Sequence, residues 1–187
     1  MRSRLLLPSL ALTLTACGSL SLYTESAQVD LVGPEVQVYP AGVQTRLTGM
    51  FESGPTDMFT VSAGHNRTNR RDWGEHDEET GDGVGVGVGW RRYDGPGYSG
   101  WMWGGRVDLW DLDIDWVDAP GTPSQTTGLT EVVVLQPTML GGYRWDLGGW
   151  QLEATLGLGV EINVDTSGGD VGEGPIALAG LSLTNWF

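Results

Sequence analysis

The stretch Trp150–Val164, WQLEATLGLGVEINV, leaves this chain little choice of fold, because apolar and polar residues alternate along it almost without error. Leu152, Ala154, Leu156, Leu158, Val160, Ile162 and Val164 take one set of positions, and Gln151, Glu153, Thr155, Gly157, Gly159, Glu161 and Asn163 take the other. A period of two puts the two sets on opposite faces of a strand, whereas a helix would scatter the apolar set around its circumference. The run lasts about fifteen residues, when a globular strand averages five or six and a tilted strand crosses a bilayer in about nine to eleven. It reads as a long strand with one greasy side and one polar side.

The same period recurs along the chain. Val43–Phe51 and Met58–Arg67 alternate, and Val84–Tyr93 sets valines and Trp90 against glycines. Trp101–Trp116 alternates with an apparent change of phase after Leu109, where Asp111, Asp113 and Asp115 take the apolar positions. That change implies either a bulge or a strand rising out of the membrane into water. Thr130–Leu147 reads as one strand, with a split at Gly141-Gly142 as the competing parse, and Pro175–Phe187 closes the chain. Thr24–Tyr39 reads as a broken first strand, because Gly33-Pro34 interrupts it and proline belongs at an edge, a bulge or a strand end. The expectation is all-β: an eight-stranded antiparallel up-and-down transmembrane β-barrel.

If the first strand starts in the periplasm, the turns at 52–57, 94–100 and 148–149 fall at the periplasmic end. The connections at 40–42, 68–83, 117–129 and 165–174 fall outside, and three of them read as long polar loops, as in outer-membrane barrels. Trp101, Trp103, Tyr143, Trp145, Trp186 and Phe187 collect near the periplasmic strand ends, as an interfacial aromatic girdle requires. A soluble lipocalin-like binder would share the alternation. Against it stand the strand lengths and the position of Arg46, Arg91, Arg106, Arg144, Glu153 and Glu161 on polar faces. Of these, Arg46, Arg106, Arg144, Glu153 and Glu161 are expected to form a charge network in the lumen, either satisfying one another or gating a narrow channel for small or apolar solutes.

The N-terminus reads as an export signal. Arg2 and Arg4 precede a run, Leu5–Leu14, too short to span a membrane as a helix. Leu14-Thr15-Ala16-Cys17 resembles the lipobox of bacterial lipoproteins, which implies a signal peptide at 1–16, lipidation of Cys17, a linker at 17–26 and a barrel domain at 27–187. Gly18 and Ser19 after the cysteine resemble the sorting pattern for the outer membrane. A single cysteine excludes an intrachain disulfide. The chain has 24 acidic residues against 10 basic ones, a net charge of −14 that argues against nucleic acid and against docking on anionic lipid through a basic patch.

The architecture, with Leu140-Gly-Gly-Tyr143-Arg144-Trp145 and the closing Gly180-Leu-Ser-Leu-Thr-Asn-Trp-Phe187, resembles the small outer-membrane β-barrel superfamily that includes the OmpA transmembrane domain, OmpW and the opacity proteins. A final aromatic residue after alternating apolar ones resembles the signal read by the barrel assembly machinery; Leu181, Leu183 and Phe187 fit it and Asn185 departs from it. The lipobox departs from most of that superfamily. The resemblance implies a monomer in the bacterial outer membrane, in contact with membrane lipid and lipopolysaccharide.

Little chemistry is concentrated anywhere. The segment around Asp72, Glu75, Asp77, Glu78 and Asp82 suits loosely held Ca²⁺ or Mg²⁺ but matches no calcium-loop spacing, so a solvated acidic loop is the plainer reading. No cofactor is implied. The two histidines, His65 and His76, sit in no arrangement of nucleophile and base, so the chain is not expected to be an enzyme.

Overall fold

The computed structural model describes residues 29–71 and 74–186; the signal peptide, Cys17, the linker, Asp72 and Phe187 lie outside the described residues. Eight strands follow one another: β1 (Leu31–Tyr39), β2 (Gly42–Glu52), β3 (Asp57–Arg71), β4 (Glu78–Tyr93), β5 (Gly100–Asp118), β6 (Thr126–Asp146), β7 (Trp150–Ser167) and β8 (Gly174–Trp186). Each pairs antiparallel with the next, and β8 pairs back onto β1, so the sheet closes into an up-and-down barrel with no free edge along its body. The turns 53–56, 94–99 and 147–149 lie at one end, called lower here. The connections 40–41, 72–77, 119–125 and 168–173 lie at the upper end.

Three expectations are corrected. β1 is unbroken: Pro34 pairs with Leu47 of β2, and the ladder gap caused by its missing N–H falls on the other side, where β8 pairs with Val32 and then with Glu35. The segment 68–83 is mostly strand, because Arg67, Arg70 and Arg71 stand opposite Asp82, Glu79 and Glu78 in the β3–β4 ladder, and opposite charges across strands attract. The connections expected at 117–129 and 165–174 shrink to 119–125 and 168–173 for a similar reason: polar strand ends continue the ladder. The asymmetry between barrel ends therefore lies in strand height, with little in loop length. β6 is one strand, as the sequence suggests, and runs without a break through Gly141-Gly142.

Nor does β5 change phase. Buried and exposed residues alternate from Trp101 to Asp115 with no bulge in its pairing. What changes is the chemistry of each face. Along the lower part, the outward residues are Trp101, Trp103, Val107 and Leu109 and the inward ones include Arg106 and Asp108; above Leu109 the outward residues are Asp111, Asp113 and Asp115 and the inward ones Trp110, Leu112 and Ile114. A single bulge on this wall lies in β7, where Val133 pairs with Asp165 and Val134 with Asn163, leaving Val164 unmatched.

The outward apolar residues form a belt. Val36, Leu47, Val86, Met139, Leu158 and Leu181 are all exposed, Met139 to 74% and Leu158 to 71%. This is far more contiguous apolar surface than water tolerates on a monomer. The glycines of β4 serve the inner side: a Cβ at Gly85 would run into the Trp110 ring, and one at Gly87 into the Asp108 carboxylate. They let β5 side chains cross the wall of β4 into a crowded bore.

Candidate functional site

The bore is filled in three layers. The lowest is apolar: Leu31, Met50, Met58, Tyr93, Met102 and Leu140 are buried together. Tyr98, on the 3₁₀ turn Pro96–Tyr98, folds beneath them and donates to the Gly54 carbonyl at 2.9 Å. Trp186, expected in the outward girdle, also packs here beside Tyr98, because it shares the inward face of β8 with Ser182 and Thr184.

The middle layer is a chain of ions in which each cation touches an anion. Arg144 donates from Nε to Glu153 Oε2 at 2.8 Å, and Glu153 Oε1 accepts from Arg91 at 2.5 Å. Arg91 reaches Glu35 at 3.0 Å, and Glu35 also accepts from Arg106 at 2.9 Å. Arg106 Nε donates to Asp108 at 2.7 Å, and the other Asp108 oxygen accepts from Arg46 at 2.6 Å. Four arginines thus alternate with three carboxylates, drawn from β6, β7, β4, β1, β5 and β2, and every side chain is at most 2% exposed. The surplus positive charge is spread over neutral partners. Arg144 lies over the Tyr93 ring at 4.3 Å and against the sulfurs of Met50 and Met58, while Arg46 lies over Trp110 at 4.9 Å and donates to Gln44. Charge-assisted bonds in a dry interior are strong, and a lost partner there is correspondingly expensive.

Above this, Trp110, Leu112, Ile114, Val132 and Val134 close the bore a second time, with Val171 of the 168–173 connection buried among them. A separate polar cluster sits beside this plug. Arg70 donates to Glu161 at 2.6 Å, to Glu79 at 3.3 Å and to the Gly172 carbonyl at 2.5 Å. Glu79, fully buried, also accepts the backbone N–H groups of Glu75, His76 and Gly172.

His76 then ties two upper connections to the top of β5. Its ring stacks on Trp116 at 4.0 Å, its Nδ1 lies 2.9 Å from Asp118 Oδ2 and its Nε2 lies 2.8 Å from the Asp170 carbonyl. Both neighbours are acceptors, so only the doubly protonated ring satisfies both. Burial alone would lower its pKa, but the hydrogen bonds to Asp118 and Asp170 and the charges of Asp118 and Glu79 hold it above the ordinary 6.5.

Of the residues singled out in the sequence, Arg46, Arg106, Arg144 and Glu153 meet in the ion chain, whereas Glu161 belongs to the Arg70 cluster above it. Glu35, Asp108, Arg70 and Glu79 were not singled out. Glu35 and Asp108 carried a legible signal, since each alternates with outward apolar neighbours; Arg70 and Glu79 carried one in the complementary charges of their two strands. Trp101, Trp103, Tyr143 and Trp145 face outward at the lower end, Trp101 edge-on to Tyr143 at 5.3 Å and Trp103 edge-on to Trp90 at 4.9 Å. The acidic candidates disperse: Asp77 accepts from the Ala119 backbone, Asp82 pairs with His65 on the outer wall, and Glu75 and Glu78 join neither. Among the described residues no three metal-ligating side chains converge.

No family model matches the chain, and no curated protein matches it. Among solved structures it is similar to the N-terminal β-barrel domain of Pseudomonas aeruginosa OprF, with 10% identity over 82% of this chain and 95% of that chain and a TM-score of 0.43.

Two measurements check the site. Glu153→Ala strands Arg144 without a carboxylate and is expected to cost about 3–5 kcal/mol in denaturant unfolding, whereas Glu153→Leu combined with Arg144→Met is expected to recover most of that loss. In an NMR titration, His76 is expected to titrate above 6.5 and Asp118→Asn to lower its midpoint. Because the folded-state pKa is raised, the stability His76 lends the cap is complete below the unfolded value near 6.5 and disappears as pH rises through the folded value.

Proposed function

We propose that the chain is a closed, non-enzymatic barrel of the bacterial outer membrane, serving the envelope through its body and through an acidic wall that stands above the bilayer. One observation carries this reading: inside and outside exchange chemistry at one level of the wall. Just below Leu109, at the level of the ion chain, the barrel is hydrocarbon outside and ionic inside, as acyl chains permit; above it β5 carries acids outside and apolar side chains inside, as in a water-soluble protein. The aromatic residues at the lower end are where an interfacial girdle would lie. Strand lengths agree as well. At about 3.3 Å per residue and a tilt near 40°, the 9 residues of β1 rise roughly 23 Å, close to the roughly 25 Å apolar band of an outer-membrane barrel, whereas the 19 of β5 overshoot it.

In this reading Cys17 is lipidated after removal of residues 1–16, and residues 17–26 link the lipid to the barrel. The chain inserts as a monomer with the help of the barrel assembly machinery. The acidic outer wall, with Asp111, Asp113 and Asp115, attracts divalent cations diffusely, without a coordination site, and through them bridges to lipopolysaccharide; nucleic acid has no place. The two apolar plugs, with an ion chain between them in which every arginine meets a carboxylate, support a closed bore over a conducting one.

In lipid vesicles, Leu158→Arg is expected to cost about 2–4 kcal/mol of unfolding free energy, and Asp113→Arg on the upper wall under about 1 kcal/mol. Equal costs at the two positions would refute the membrane reading. In planar bilayers the purified protein is expected to pass no steady current; a steady current that Arg106→Ala alters would overturn the closed bore.

A further inference from the structure

The upper rim of the barrel has a dip. β1 ends at Tyr39 and β2 begins at Gly42, while the neighbouring strands continue upward. The topmost β1–β8 pair is Val38 with Ala179, so β8 from Gly174 to Leu178 has no partner on that side; β3 likewise runs on past Thr68, the partner of Gly42. A cleft of about 230 Å³ opens at this dip. Its walls are mostly apolar, built by Tyr39, Pro40 and Ala41 of the β1–β2 hairpin and by Pro175 and Ile176 of β8, and Glu161 and Arg70 line it as well.

Among the described residues that line the cleft, Glu161 is the one with an unpartnered buried polar atom. It is 4% exposed; its Oε2 accepts from Arg70, and its Oε1 is buried with no hydrogen-bond partner. Arg70 must also serve Glu79, so one cation faces two buried carboxylates. Glu79 is compensated by three backbone N–H groups, and the shortfall falls on Glu161. A buried carboxylate oxygen with nothing donating to it is costly, and in a native protein it calls for an explanation.

We propose that this cleft binds a small organic cation, a primary ammonium on a compact apolar body, which donates to the Glu161 carboxylate as Oε1 turns to meet it, while its hydrocarbon rests on Pro40, Ala41, Pro175 and Ile176. The inference goes beyond the envelope role and does not depend on it. A hard metal ion needs several oxygen ligands, which do not converge here. A guanidinium would use both carboxylate oxygens, and Arg70 already holds one; an ammonium needs only the other. At roughly 30 Å³ per water-sized group, the volume admits about eight non-hydrogen atoms.

Benzylamine has that size, and benzyl alcohol is its uncharged counterpart. With the full chain folded in detergent micelles at neutral pH, calorimetric titration is expected to show saturable benzylamine binding about tenfold or more tighter than that of benzyl alcohol. Glu161→Gln is expected to erase the difference between the two probes, and Ala41→Phe, which fills the cleft from a half-buried turn position and alters no charged side chain, to abolish binding of both. Should Glu161→Gln fail to fold, the two-probe comparison and Ala41→Phe decide alone. Equal uptake of amine and alcohol by the unaltered protein, or benzylamine binding that survives Ala41→Phe, overturns the proposal.

Discussion

Arginine does not give up its proton inside a protein, so a barrel that buries four of them in a dry bore must supply each with an anion or fail to fold. The alternating sequence Arg144, Glu153, Arg91, Glu35, Arg106, Asp108, Arg46 meets that demand with three carboxylates, each bridging two cations. Because the members come from six strands, the arrangement exists only when the sheet is closed. The two apolar layers above and below keep water out, which strengthens every bond in the chain and makes each of them harder to replace. An exposed apolar belt is the other half of the same design: with hydrophobic burial directed outward, ionic pairing takes over the task of filling the middle.

Height is the second organising feature. Strands β4 to β7 are long enough to leave the belt and continue, and above it the inward residues of β5 and β6 become Trp110, Leu112, Ile114, Val132 and Val134 while the outward ones of β5 become Asp111, Asp113 and Asp115. One ladder of hydrogen bonds therefore serves two surroundings, with no break in the backbone and only the side chains exchanging places. The upper connections are held against this second core by Glu79, Arg70 and His76, so they behave as part of the wall.

The period of two made the strands and their number legible, and the glycines of Val84–Tyr93 were legible as room for side chains crossing the bore. Arg46, Arg106, Arg144 and Glu153 could be placed in the lumen by the same counting. Glu35 escaped because Gly33-Pro34 suggested a broken strand, although Val36 and Val38 on either side of Gln37 already gave its phase. Trp186 was misplaced because nearness to a strand end was weighed above parity with Leu181 and Leu183. The segment 68–83 escaped for a different reason: where a strand leaves the apolar belt, hydrophobic alternation vanishes and only charge complementarity across the ladder remains, and that shows only once the register is known. Which carboxylate meets which arginine depends on the stagger of the closed barrel and is not written in any single strand.

Glu35 stands on the first strand, and the arginines it joins, Arg91 and Arg106, stand on the fourth and fifth. A shift of β1 by one residue against its neighbours would turn Glu35 toward the belt and Val36 into the bore. Two guanidinium groups would then face each other across an empty place. The first strand thus acts as a key cut for its lock: only one insertion depth neutralises the interior, so the electrostatics of the bore proofread the seam at which the cylinder is finally zipped.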